Sequence, residues 1–176
     1  MAKVTIYTDG CSKGNPGPGG YAVVLRSEDK RLEVSRGYRY TTNSRMELSA
    51  VVAGLEALKR PCRVTLYTDS KYVVDAINQG WLRSWQWNGW RKKDNKPVMN
   101  TDHWKRLVDV MRLHDVQFVW VKGHSGNIDN DKCDWLATNA AKGNDLSVDV
   151  EYERIANYSP PFCSQGSTIK SGDNLF

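Results

Sequence analysis

The sequence predicts an α/β fold in which a five-stranded mixed sheet is flanked by helices and carries a basic segment. Two observations predict this class. Strand-like segments come first along the chain and alternate with helix-like segments afterwards, an order that pairs hairpin strands antiparallel and crossover strands parallel. The heptad Val-Thr-Ile-Tyr-Thr-Asp-Gly (4–10) also returns almost unchanged as Val-Thr-Leu-Tyr-Thr-Asp-Ser (64–70), which predicts two equivalent strands lying side by side.

The N-terminal half is predicted to contain three strands and one helix. Residues 3–9 alternate apolar and polar side chains, and residues 21–26 and 32–40 have the pattern of a hairpin. The glycine- and proline-rich stretch 14–20 predicts a rigid loop, because neither residue favours a helix or a central strand. From residue 44 to 59 apolar residues recur at helical spacing, and Pro61 ends that helix.

The second half is predicted to alternate helices and strands. The second heptad is a strand, and a short helix follows it and ends near Gly80. A helix over 102–113, a strand over 116–121 and a helix over 129–142 come next. Periodicity fades after about residue 151, so we expect one domain over 1–150 and a flexible tail over 151–176.

Composition favours a globular protein outside the membrane. Hydrophobic residues make up 40% and charged residues 26% of the chain, and no apolar run approaches the roughly 20 residues that span a bilayer. The N-terminus lacks the apolar stretch of a secretory signal, so we expect a cytoplasmic protein. The four cysteines show no paired spacing, which predicts free thiols.

Positive charge is concentrated in one segment. The segment from Trp81 to Arg106 contains seven basic and two acidic residues. Its net charge of +5 equals that of the whole chain. Such a segment is typical of a surface that holds phosphates. A solvated helix face with an attached loop is the alternative.

Four acidic residues are candidates for metal chemistry, and each also has a purely structural explanation. Asp9 precedes a glycine and can form a turn, whereas Asp69 can cap the helix that follows it. Glu47 lies three residues after Ser44, the spacing of a capping box, and Asp134 can face solvent on the last helix.

Taken together, these carboxylates predict a cation site. If the two heptads are neighbouring strands, about 4.8 Å apart, Asp9 and Asp69 end them on the same face. Two carboxylates that close repel each other unless a cation lies between them. Carboxylate oxygens suit hard divalent cations, so we expect Mg²⁺, with Mn²⁺ as a possible substitute.

The motifs resemble one known family, ribonuclease H of the bacterial type 1 form. They occur in that family's order over about residues 3–150 and are Thr8-Asp-Gly, Gly14-Asn-Pro-Gly-Pro-Gly-Gly, Thr41-Thr-Asn-Ser-Arg-Met-Glu47, Thr68-Asp-Ser70, Val121-Lys-Gly-His-Ser-Gly and Asn130-Asp-Lys-Cys-Asp134. The resemblance implies hydrolysis of the RNA strand of an RNA/DNA hybrid by a two-metal mechanism that leaves 5′-phosphate and 3′-hydroxyl ends. The implied metal ligands are Asp9, Glu47, Asp69 and Asp134, and His124 matches the family's mobile histidine.

The resemblance also implies a hybrid-binding surface. Short polar residues near the first carboxylate and the first helix match positions that reach the minor groove, and Thr42 matches a pocket for a DNA phosphate. Tyr40 and Lys71 depart from the residues common at their positions. The implied substrate-binding residues are Ser12, Asn15, Thr42, Asn43, Ser44 and Lys71.

The basic segment matches the family's protruding handle, about residues 81–98. Aromatic planes interleaved with basic residues can hold sugars and phosphates. We expect Trp81, Trp85, Lys92 and Lys93 to contact substrate, whereas Trp90 and Trp104 are expected to pack the handle onto the core.

Several alternatives stay open at this point. A binding module would hold hybrids without cutting them, the nuclease domain of a reverse transcriptase or integrase would share the fold, and a calcium site would be structural. The complete carboxylate set and the handle favour a free-standing, monomeric ribonuclease H. The apolar pair Leu175-Phe176 predicts a docking contact between the tail and a replication protein.

Overall fold

A computed structural model of the chain describes residues 1–28 and 30–161. Its strands and helices alternate much as the sequence predicts. In chain order they are β1 (Ala2–Ser12), β2 (Gly17–Ser27), β3 (Lys30–Thr41), α1 (Asn43–Glu56), β4 (Cys62–Thr68), α2 (Lys71–Asn78), α3 (Trp81–Trp87), α4 (Thr101–Met111), β5 (Asp115–Trp120), α5 (Ile128–Lys142), β6 (Leu146–Ser147) and α6 (Val150–Ile155).

The sheet is mixed and confirms the predicted fold class. Its strand order is β5-β4-β1-β2-β3-β6, in which the first three strands of the chain form an antiparallel meander and β4 and β5 run parallel to β1. The predicted count of five strands is wrong by one, because β6 adds two residues beside Gly37 and Tyr38. A two-residue strand has too short a pattern to be visible in the sequence.

The two heptads pair with each other in register. Strands β1 and β4 are parallel, and their partners run from Val4 opposite Val64 to Thr8 opposite Thr68. Asp9 and Asp69 therefore follow equivalent positions on neighbouring strands, as the repeated heptad predicts.

The glycine-rich stretch corrects one prediction. Gly17–Gly20 lie inside the central strand β2 and not in a loop, and the strand register shifts between Gly17 and Gly19, which flank Pro18. A side chain at Gly20 would place its Cβ atom 2.4 Å from the backbone oxygen of Ala137 in α5. Glycine is therefore required here by close packing of helix on strand, and the irregular pairing accommodates the proline.

Helices cover both faces of the sheet. On one face, α1, α2 and α4 bury the main hydrophobic core, whose centre includes Ile6, Met46, Leu66 and Trp104. On the other, α5 lies over β1, β2 and β3 and buries Cys133 and other small side chains. None of the helices in the described part of the chain has the length and apolar character that crossing a membrane requires.

The chain continues in regular structure beyond the predicted domain boundary. Helix α6 occupies residues that we expected to belong to a flexible tail, and Glu153 in it is buried. The boundary near residue 150 is therefore corrected to a point after α6. The rest of the predicted tail, including Cys163 and Leu175-Phe176, lies outside the described residues; Cys11, Cys62 and Cys133 are free thiols as predicted.

Candidate active site

Asp9 and Asp69 lie at the carboxyl ends of the paired heptads. Asp9 is 7% exposed, and its Oδ1 accepts a hydrogen bond of 2.8 Å from the backbone N–H of Gly10. Burial, followed by the negative charge of Asp69, raises the pKa of Asp9 to about 8. Burial and the charge of Asp134 raise the pKa of Asp69. The charge of Asp69 thus opposes the ionisation of Asp9, whereas a hydrogen bond from Asp9 lowers the pKa of Asp69 and offsets part of the increase.

Glu47 reaches this site because α1 packs tightly against the end of β1. A Cβ atom at Gly10 would lie 2.3 Å from the backbone nitrogen of Glu47, so glycine permits this approach. Ser70 Oγ donates a hydrogen bond of 2.5 Å to Glu47 Oε2, and Asn43 Nδ2 donates one of 2.9 Å to Oε1. Burial raises the pKa of Glu47, and the Ser70 hydrogen bond counteracts part of that effect.

The structural alternatives for two of these residues are wrong. Helix α1 is capped by Thr42, whose side chain accepts a hydrogen bond from the Arg45 N–H, so Ser44 and Glu47 form no capping box. Helix α2 is capped by Ser70 and not by Asp69. Both carboxylates are thereby free of the capping roles that the sequence pattern allows.

Asp134 and His124 complete the predicted set from the other side of the sheet. Asp134 projects from α5 with its side chain 39% exposed, and His124 Nδ1 lies 3.9 Å from Asp134 Oδ2. The loop that carries His124 packs close to Asp69. A Cβ atom at the neighbouring Gly123 would lie only 2.6 Å from Asp69 Oδ2. The histidine side chain is 78% exposed.

The donor set fits a hard divalent cation whose remaining ligands come from elsewhere. Burial and three neighbouring carboxylates, those of Asp69, Asp134 and Glu47, all raise the pKa of Asp9, and a cation would relieve this effect. Within residues 1–28 and 30–161, no three acidic, histidine or cysteine side chains lie close enough together to hold a metal ion by themselves. Water and substrate oxygens would therefore have to supply part of the coordination shell, as is usual for Mg²⁺.

The predicted substrate-binding residues near α1 form one connected edge. Asn15 Oδ1 accepts a hydrogen bond of 3.1 Å from the Asn43 N–H, which ties the β1–β2 loop to the start of α1. Ser44 Oγ accepts one of 3.3 Å from Asn100 Nδ2. Ser12 Oγ is buried and has no hydrogen-bond partner among the described residues.

Comparison with known proteins identifies the family. The ribonuclease H family profile matches residues 1–142. The chain is 52% identical over 151 residues to the ribonuclease H of Trichodesmium erythraeum, covering 86% of this chain and 96% of that protein. This chain belongs to the ribonuclease H family. It is thus a member of a family of metal-dependent endonucleases that hydrolyse phosphodiester bonds.

Solved structures agree with this assignment. LC9-RNase H1, a type 1 RNase H with the type 2 active-site motif, superimposes with a TM-score of 0.73 at 31% identity over 90% of this chain and 82% of that one. LC11-RNase H1, solved in complex with an RNA/DNA hybrid, gives a TM-score of 0.61 at 26% identity over 79% of this chain and 96% of that one.

In the handle of this ribonuclease H family member, the two tryptophans predicted to contact substrate differ in exposure. Trp81 is 40% exposed and its ring lies 6.5 Å from that of Trp85. Trp85 also packs edge-on against the buried Trp104, 5.4 Å away, so Trp85 links the handle to the core. Both line a groove that Lys92 and Lys93 also flank. Lys71 Nζ lies 5.8 Å from the ring centroid of Trp120, the last residue of β5.

Sequence reasoning missed two residues that orient this site. Ser70 orients Glu47. It ends the repeated heptad and the motif Thr68-Asp-Ser70, but the sequence pattern predicted no role for its side chain. Asn100 adopts a left-handed backbone conformation with a φ of 59° just before α4 and reaches Ser44. An asparagine directly before a helix is a weak signal, because it also suits a simple cap.

Proposed function

We propose that this protein hydrolyses the RNA strand of RNA/DNA hybrids at internal phosphodiester bonds. The observation that carries the proposal is the set of four carboxylates from β1, α1, the end of β4 and α5. Three of them raise the pKa of the fourth, Asp9, and no lysine or arginine of residues 1–28 and 30–161 forms an ion pair with any of the four. In the proposed reaction the oxygen of water bonds to phosphorus and the water gives up one proton. The bond from phosphorus to the 3′ oxygen breaks, and that oxygen takes up one proton, so that the reaction consumes one water and no net proton. The products carry 5′-phosphate and 3′-hydroxyl ends.

Asp9, Glu47, Asp69 and Asp134 would hold Mg²⁺, or Mn²⁺ in its place. When two such ions are bound, they supply Lewis-acid polarisation of the phosphate and a lowered pKa for the attacking water. Ser70 and Asn43 hold the Glu47 carboxylate in a single orientation. His124 is exposed beside Asp134, and we assign to it the relay of a proton or the release of product.

The α1 edge and the handle are proposed to bind the two strands of the hybrid. Discrimination of RNA from DNA requires contacts to 2′-hydroxyl groups, which short polar side chains can make. We assign this role to Asn15, Asn43 and Ser44. Ser12 was also predicted to have it, but its buried Oγ would first have to become exposed. A DNA phosphate is assigned to Thr42, and further backbone contacts to Lys71 and to the handle residues Trp81, Trp85, Lys92 and Lys93.

The test is cleavage of end-labelled RNA/DNA hybrid, with double-stranded RNA and double-stranded DNA as controls, over a series of Mg²⁺ concentrations. We expect cutting of the RNA strand alone, loss of cutting with chelator, and 5′-phosphate at the new ends. Tight binding of the hybrid without cutting in Mg²⁺ or Mn²⁺ would support the binding module instead. Cutting in Ca²⁺ but not in Mg²⁺ would contradict the metal assignment.

The handle has its own test. Replacing Lys92 and Lys93 with glutamine should weaken hybrid binding and lower the slope of log affinity against log salt by roughly one for each lost phosphate contact. Lys59 and Arg60, exposed residues between α1 and β4, provide a matched control, and their replacement should leave the slope unchanged. An unaltered slope in the handle variant would mean that the handle does not contact phosphate.

We further propose that the enzyme is a monomer, since one chain supplies all four carboxylates. Its cytoplasmic location is a separate proposal. Light scattering of the purified protein tests the oligomeric state. Contact of Leu175-Phe176 with a replication protein is also a proposal. Equal binding of the full chain and a chain ending at residue 170 to such proteins would contradict it.

A further inference from the structure

Arg45 lies on α1 between two carboxylates that are distant in sequence. Its side chain is 2% exposed. Its Nε and Nη2 donate hydrogen bonds of 2.7 and 2.8 Å to the two oxygens of Asp149, and its Nη1 and Nη2 donate bonds of 2.9 and 2.7 Å to Asp102. The guanidinium therefore joins α1 to α4 and to the segment that precedes α6.

The same cluster reaches the substrate-facing edge of α1. Arg45 Nη1 lies 3.5 Å from Asn100 Oδ1, and Asn100 Nδ2 in turn donates to Ser44 Oγ. Thr41 Oγ1, just before α1, donates a hydrogen bond of 2.7 Å to Asp149 Oδ2. Asp149 thus has contacts on both sides of the first turn of α1.

Asp149 is itself held by its neighbours in the chain. Its side chain caps α6 by accepting a hydrogen bond from the Tyr152 N–H. Glu153 of α6 forms two hydrogen bonds of 2.8 and 2.7 Å with Arg39 of β3. The ring of Tyr158 stacks on that of Tyr40 at 4.0 Å. This segment, residues 149–158, lies beyond the region that the family profile matches.

We propose that Asp149 is a positioning residue for hybrid binding and cleavage, acting through Arg45 on the first turn of α1. A buried guanidinium requires charged partners, so its place is set by theirs. Ser44 directly precedes Arg45 in α1, and Glu47 follows it by two residues. A displacement of the first turn of α1 would therefore move both Ser44 and Glu47. The inference rests on the proposed function, because its readout is hybrid binding.

The test compares Asp149→Asn with Glu153→Gln. Asparagine still caps α6 but removes the charge opposite Arg45, whereas Glu153→Gln weakens the attachment of α6 to β3 without altering the contacts of Arg45. The dissociation constant for a hybrid is measured in chelator, KM and kcat in Mg²⁺, and the melting temperature by circular dichroism. We expect Asp149→Asn to raise the dissociation constant and KM about tenfold, because small misplacements of contact groups are costly. Glu153→Gln should lower the melting temperature and leave both constants unchanged.

The outcomes separate this inference from the proposed function. Wild-type protein that neither binds nor cuts the hybrid would overturn the proposed function and this inference with it. If the wild-type protein binds and cuts the hybrid, but Asp149→Asn and Glu153→Gln have the same KM, the positioning role alone is overturned. If Asp149→Asn does not fold, Thr41→Val removes one hydrogen bond to the same carboxylate and should raise KM about threefold. An unchanged KM in that variant would likewise overturn the role.

Discussion

Two groups of partly or fully buried carboxylates lie on and around helix α1, and their pKa values are shifted in opposite directions. Asp9, Glu47 and Asp69 have raised pKa values. Burial is the largest cause in each case, and the negative charges of neighbouring carboxylates add to it. Asp102 and Asp149 are also partly buried, which by itself disfavours ionisation, but hydrogen bonds and positive charge from Arg45 outweigh burial and lower their pKa values. Carboxyl groups are therefore harder to ionise than usual in the first group and easier to ionise than usual in the second.

The difference is the presence of a cation within the fold. In the second group the fold itself supplies the cation, because Arg45 forms ion pairs with both Asp102 and Asp149. We therefore assign structure and positioning to this group. The first group has hydrogen-bond donors at Gly10, Ser70 and Asn43 but no arginine or lysine bonded to it in the described chain. Carboxylates left without a cation inside a fold indicate a site that takes its cation from solution.

The strongest test of this comparison is Asp69→Asn. We expect turnover to fall by roughly 10³-fold or more, since bound metal supplies several kcal/mol to the transition state, while hybrid binding largely survives. Single-turnover cleavage and binding in chelator measure the two effects separately. Asp75→Asn, one turn into α2, is the matched control and should cut like wild type. Wild-type rates in Asp69→Asn would remove Asp69 from the metal site.

The next test concerns the stability of the metal-free protein. The folded pKa of Asp9 is about 8 against 3.8 for the ordinary group, so between these values the folded state binds a proton that the unfolded state has lost. Stability should therefore fall as pH rises from about 5 to 8, by on the order of 3 kcal/mol, and Asp9→Asn should remove most of that slope. Urea unfolding in chelator at both pH values measures it.

Mg²⁺ provides the control for this pH test. Added to wild type at pH 8, it should restore stability, because it takes the place of the missing cation. It should do so less in Asp9→Asn. A wild-type protein equally stable at both pH values without metal would contradict the account of an unstable charge.

The smallest expected effect lies in the Arg45 group. Asp102→Asn should cost about 2 kcal/mol of unfolding free energy at pH 7, because Arg45 loses one charged partner and keeps Asp149. In wild type this contribution is present at neutral pH and lost as the pH falls through the lowered folded pKa of Asp102. The variant should consequently lose less stability than wild type between pH 7 and pH 3.

Asp115→Asn is the matched control for this variant. Asp115 pairs with Arg63 at the surface, with side chains 61% and 66% exposed, and exposed ion pairs contribute little. Urea unfolding of both variants at the two pH values decides the matter. Equal losses of unfolding free energy in Asp102→Asn and Asp115→Asn would show that the Arg45 group contributes no more to stability than an exposed ion pair.

The sequence predicted the group of Asp9, Glu47 and Asp69 better than the group of Asp102 and Asp149. The repeated heptad predicted the pairing of β1 with β4 and so brought Asp9 and Asp69 together, because register follows a local pattern that occurs twice. The Arg45 group left no such pattern. Asp149 lies 104 residues from Arg45, and β6 and α6 were too short to be predicted from periodicity.

The sequence by itself determined the order of the elements, the repeated strand, the full set of acidic residues and the basic handle, because each is written in neighbouring residues. Only the tertiary structure decided which residue caps α1, why Gly17–Gly20 belong to a strand, and which carboxylates have a cation beside them. These features depend on contacts between segments distant in the chain. Burial and neighbouring charge, not residue type, determine whether a carboxylate is poised for a metal or already neutralised by the fold.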